Sequence, residues 1–103
     1  YMYRLDHVYE KFGAMMKEPL PLKPSDYVRR QIWATFQDDP VGPANYKFFG
    51  IEKYMWASDF PHADSTWPNS LKVIERDFAE VPSDVTQKII SENASKLYRI
   101  DLS

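Results

Sequence analysis

The residues best equipped for chemistry lie close together: Asp59, His62, Asp64, Ser65 and Thr66. A carboxylate and an imidazole three residues apart can exchange a proton, orient one another or contact a substrate. Asp59 follows an apolar, aromatic run, Tyr54-Met55-Trp56-Ala57, that reads as a buried strand, and Pro61 stops it. A carboxylate at the C-terminal end of a buried strand, under a polar loop, is where α/β proteins place their chemistry. Taken alone, Asp59 reads first as an ordinary strand-end acid, and His62 first as a histidine bonding its own loop. Asp64 reads first as a turn residue and second as an outer support of a site. Asp38 and Asp39 end an earlier strand; they serve either to position substrate or a metal ligand's partner, or as a turn and helix cap.

The elements that carry these residues follow from periodicity. Leu5, Val8, Tyr9, Phe12 and Met15/Met16 recur at helical spacing, so residues 1–16 form an amphipathic helix, with His7 at its boundary near Tyr3. Pro19, Pro21 and Pro24 make residues 17–24 an extended linker. Ser25-Asp26 caps a short helix through Arg30; Arg29 and Arg30 suit a substrate carboxylate or a solvated surface. Residues 31–36 read as a strand, 44–49 as a short helix with Pro43 in its first turn, and 54–57 as the second strand. The crossover of ~20 residues permits a parallel pair. Residues 68–81 form a helix with Leu71, Ile74, Phe78 and Val81 inward, capped by Ser65 or Thr66. Trp67 packs under the loop or stacks on substrate. Ser83 caps a last segment with Val85, Ile89 and Ile90 inward, and Asn93 opens a final turn. Alternation along the second strand sends Met55, Ala57 and Asp59 to one side and Tyr54, Trp56 and Ser58 to the other.

Composition narrows the function classes. The 103 residues carry 13 basic and 15 acidic side chains, for a net charge of −2. No basic stripe invites nucleic acid. No apolar run approaches the ~20 residues of a membrane helix. Without cysteine there is no disulfide and no thiolate metal site, which fits a cytoplasmic location. Aromatics make up 16% of the chain, which fits a piece of a larger core.

Met55-Trp-Ala-Ser-Asp-Phe-Pro-His62 followed by Asp64-Ser-Thr-Trp-Pro68 resembles the end of the last barrel strand, and the loop after it, in the amidohydrolase-2 family. These are metal-dependent TIM-barrel enzymes that include aminocarboxymuconate-semialdehyde decarboxylase-like and resorcylate-type decarboxylases as well as hydrolases. Weaker likeness extends to Gln31–Asp39 and Lys88–Tyr98. The resemblance implies an α/β fold in which residues 1–103 are the C-terminal part, the last two strands and their helices, of a (β/α)8 TIM barrel. It implies Asp59 as metal ligand and proton acceptor for one divalent ion, zinc or manganese, with His62, Asp64 and Asp38 as outer supports or substrate contacts. The remaining ligands, a His-x-His pair and further histidines, would lie on strands outside these residues. It further implies a small carboxylated or aromatic substrate, hydrolysis or non-oxidative decarboxylation, and a homodimer. One carboxylate cannot hold zinc tightly, so these residues alone would be inactive, with apolar faces exposed where the rest of the barrel belongs.

Two readings compete with the enzyme. One is a small non-catalytic interaction domain presenting Trp67, Trp33 and tyrosines. The other is a barrel remnant without its metal.

Overall fold

The computed structural model describes residues 1–102. The chain divides into two compact units, Tyr1–Ile32 and Trp33–Ser103.

In the first unit, helix α1 (Met2–Phe12) runs into a 3₁₀ turn (Gly13–Met15) and packs on α2 (Pro24–Gln31). The predicted helix and linker are present. Val8 and Phe12 of the apolar face remain exposed, while His7 stacks on Tyr3 at 6.2 Å. Ser25 does not cap α2. Lys23 holds the cap position and Pro24 the first helical one, where a missing N–H costs nothing. The cap comes instead from α1: the buried Ser25 amide donates to Asp6 Oδ1 at 2.9 Å. Tyr9 Oη also donates to the linker carbonyl of Leu20 at 2.7 Å. Arg29 bonds Ser25 Oγ, and Arg30 lies over the Tyr27 ring.

The hydroxyl and amide of Ser25 hold the Asp6 carboxyl below its ordinary range, with Lys23 and Arg29 adding to the effect. A depressed folded-state value stabilises above the unfolded value and is lost as pH falls through the folded one. The α1–α2 unit should therefore loosen below about pH 4. In an acid titration followed by circular dichroism, Asp6→Asn should start looser and lack this part of the pH dependence. Superimposable titrations would remove Asp6 as the link.

The second unit holds a mixed α/β arrangement. Strands β1 (Ala34–Phe36) and β2 (Tyr54–Trp56) pair in parallel, with Ala34, Thr35 and Phe36 opposite Tyr54, Met55 and Trp56. The first strand is shorter than residues 31–36 because α2 claims Gln31 and Ile32 N–H still bonds back to Val28. Between the strands, the predicted single helix is split at Asn45 into α3 (Val41–Ala44) and α4 (Tyr46–Phe49). Gly42 is buried against Phe36; a Cβ there would lie 2.5 Å from the ring. Gly50, at φ 102°, turns the chain toward β2.

Helix α5 (Ser70–Asp77) follows β2. It is shorter than residues 68–81: Asn69 and Phe78 both leave helical geometry, and no side chain caps its start. Thr66 Oγ1 is spent on the Ser70 hydroxyl at 2.9 Å. Phe78 is buried, but Leu71, on the same face, is 75% exposed.

The last helical stretch runs through α6 (Ser83–Gln87), a π-helical turn (Lys88–Glu92) and α7 (Asn93–Tyr98). Val85, Ile89 and Asn93 are all buried, at a period of four. In an α-helix a four-residue stripe drifts by about 40° per step; the wider π turn rotates it back. Asn93 thus faces the sheet, and its Nδ2 donates to the carbonyls of Ile51 at 2.6 Å and Tyr54 at 2.9 Å.

Phe78, Val85 and Ile89 form the core, with Phe36, Tyr54 and Trp56 packed on it. The helix-facing side of the sheet is thus the aromatic one, as alternation predicts. Among the described residues no helix is long and apolar enough to cross a membrane.

Candidate functional site

The site lies where both parallel strands end. A pocket of about 250 Å³ is lined by Thr35, Phe36, Gln37, Ala57 and Asp59. Asp59 and Ala57 from the end of β2 thus line one pocket with Thr35 and Gln37 from the end of β1. A larger hollow of about 370 Å³, lined by Pro40, Pro43, Tyr46, Asp77 and Glu80 among others, contains none of the predicted site residues.

Strand pairing continues one step past β2, where Ala57 N–H donates to Phe36 carbonyl at 2.9 Å. The chain then breaks into a loop closed at its base. The Ser58 carbonyl accepts both Thr66 N–H at 3.1 Å and Ser65 Oγ at 2.8 Å. Asp59 begins the loop with φ 58°, in the left-handed region. Aspartate is one of the few non-glycine types that tolerate this conformation. A tight turn follows, in which the Asp59 carbonyl accepts His62 N–H at 2.9 Å. The turn brings His62 Nδ1 to 3.1 Å from Asp59 Oδ2. With its proton on Nδ1, the ring donates to the carboxylate and keeps Nε2 as an acceptor. Both side chains reach solvent.

The other candidates are placed differently. Asp64 is tied to the end of β1, since Gln37 Nε2 donates to its carbonyl and to Oδ2, each at 3.3 Å. Asp38 is ion-paired with Arg76 of α5, which also bonds Asp77 Oδ1 at 2.7 Å. The two carboxylates hold the Arg76 guanidinium firmly charged. Asp38 is absent from the pocket lined by Asp59. Asp39 Oδ1 accepts Val41 N–H at 2.8 Å, the helix-start role that its position allows. Trp67 does not pack under the loop. It is 65% exposed and meets Phe60 edge-on at 6.0 Å, because Ser58, Ser65 and Thr66 already close the loop's base by hydrogen bonds. Sequence reasoning missed Gln37 and Thr35. The signal was available for Gln37, a polar residue at a strand's C-terminal end.

The donor set fits one corner of a metal centre. Asp59 offers a hard oxygen ligand with an imidazole bonded to it, the arrangement by which a ligand is oriented from behind. Among the described residues no group of three or more His, Cys, Asp or Glu side chains could hold an ion by itself. A zinc site takes three or four protein ligands, so Asp59 would serve as one of several.

No curated protein matches the chain. The family model described as amidohydrolase matches residues 1–100. That span takes in both strands, the pocket between their ends and the Asp59–His62 pair, and the chain belongs to the amidohydrolase family.

Proposed function

We propose that the chain is the C-terminal part of a metal-dependent amidohydrolase-type barrel enzyme, in which Asp59 ligates one divalent ion and accepts a proton. The observation that carries this reading is the Asp59–His62 contact of 3.1 Å at the C-terminal end of a parallel strand. A divalent ion held there supplies Lewis acidity, polarising a substrate oxygen and making water acidic near neutral pH. The chain's own part is proton handling and orientation. Asp59 takes the proton of the attacking or exchanging group, and His62, donating Nδ1–H to Asp59 Oδ2, orients the carboxylate for it. Exposed Leu71, Trp67, Val8 and Phe12 support a remainder of the barrel as the covering partner. Zinc is the favoured ion and manganese the second choice, and the substrate class is a small carboxylated or aromatic molecule.

Hydrolysis and decarboxylation differ in product, so one assay separates them. A protein carrying the upstream strands should contain about one divalent ion per chain. It should release carbon dioxide from aromatic or β-carboxylates, or acid from esters and lactones, but not both efficiently. A metal-free protein inert in both assays would leave the interaction-domain or remnant reading standing.

A further inference from the structure

The geometry points to Gln37 as a positioning residue for the Asp59 centre, acting through the loop it holds. This inference rests on the metal-centre reading given above. Gln37 stands at the end of β1, lines the same pocket as Asp59, and reaches across to the loop that follows β2. Its carboxamide has one sensible orientation. Both groups it faces at Asp64, the carbonyl and Oδ2, are acceptors, so Nε2 must point toward them. That leaves Oε1 buried with no hydrogen-bond partner. A buried acceptor left without a partner is a cost, set against the two Nε2 bonds to Asp64. What the pose gives is a link between the end of β1 and the loop after β2. His62 and Asp64 lie in one short loop, and the loop's own turn, Ser65 N–H on the His62 carbonyl at 3.1 Å, joins them. Restraining Asp64 therefore restrains the His62 ring against Asp59. Gln37 touches neither Asp59 nor His62 by hydrogen bond and takes no proton, so its role is orientation.

Gln37→Met keeps length and bulk while removing both the donors and the unpaired Oε1. Gln37→Glu keeps the shape but sets a carboxylate against the Asp64 carboxylate. Three readings are taken on the full-length enzyme: amide hydrogen exchange at His62, Ser65 and Thr66, zinc affinity by chelator competition, and melting temperature. In both variants, exchange at the loop amides should rise about tenfold or more while amides around Ile89 stay unchanged. Zinc affinity should fall roughly 10–100-fold, the usual size for losing an outer support of a metal ligand. Melting of Gln37→Met should be close to that of wild type, which separates positioning from a merely structural role. Unchanged loop exchange would overturn the inference. So would faster loop exchange with zinc affinity intact. A wild-type enzyme that takes up no zinc sinks the metal-centre reading instead, and loop exchange then decides by itself whether Gln37 holds the loop.

Discussion

Asp59→Asn in the full-length enzyme should lose metal and turnover together while the protein stays folded. The substitution is chosen for its backbone. At φ 58° an asparagine sits almost as comfortably as an aspartate, whereas most other residues pay ~1–2 kcal/mol. Asparagine also keeps a side-chain oxygen for His62 Nδ1, so the 3.1 Å contact survives. What disappears is the negative charge, which the proposed roles of metal ligand and proton acceptor both require. Loss of the proton acceptor alone is worth on the order of 10²–10⁴-fold in kcat, and loss of the ligand adds to it. Metal content per chain, kcat and melting temperature, measured on one preparation, check all three statements. Asp59→Ala serves as the contrast: the same loss of metal and turnover, now with lower stability from an alanine held in the left-handed region. An Asp59→Asn enzyme that retains its ion and turns over at the parent rate would end the ligand assignment.

The strand and loop that carry Asp59 were more legible in the sequence than the ends of the elements around them. The strand before Asp59 was legible because Tyr54-Met55-Trp56-Ala57 has no competing period, and the core-facing side of Tyr54 and Trp56 followed from alternation. The Asp59–His62 contact was legible as a spacing, but not as a geometry. It depends on a left-handed residue and a turn, neither of which an apolar pattern records. Element ends were the weak point, for physical reasons. Two three-residue strands pair only where they face one another, so the apolar run from Ile32 overstates β1. Residues 68–81 keep a helical apolar pattern although Asn69 and Phe78 leave the helix. Nothing in the apolar pattern of α1 singles out Asp6, and only the approach of the Ser25 amide gives it a partner. Asp38 sits at the right end of β1 for substrate, yet Arg76, 38 residues further on, claims it. Gln37 was passed over because it bears no charge, although its side chain ties the end of β1 to the loop after β2.

Asn93→Asp should be among the most damaging single changes in the second unit, and its damage should depend on pH. Asn93 is 3% exposed, and its amide satisfies two backbone carbonyls, that of Ile51 in the approach to β2 and that of Tyr54 at its start. A carboxylate there would replace a double donor with oxygen atoms facing oxygen atoms. It would also bury a charge with no partner, a change costing about 3–5 kcal/mol in comparable buried pairs. Against the 5–15 kcal/mol that hold a typical domain together, that is enough to unfold much of the population near neutral pH. Protonation offers an escape, because the neutral carboxyl can donate to one of the two carbonyls. Burial and the facing oxygens raise the folded-state value of the introduced carboxyl above its unfolded one. Stability is then present below the unfolded value, about pH 4, and lost as pH rises through the folded one. Urea unfolding at pH 4 and pH 7 should show the variant closer to wild type at the lower pH. Ile89→Ala supplies the control. Ile89 is fully buried in the same stripe, and its truncation should cost ~2–5 kcal/mol through lost packing, by a similar amount at both pH values. If Asn93→Asp instead loses the same stability at both, the pair of carbonyl contacts is not what Asn93 contributes, and the π turn that aims it at the sheet has no such role in holding β2.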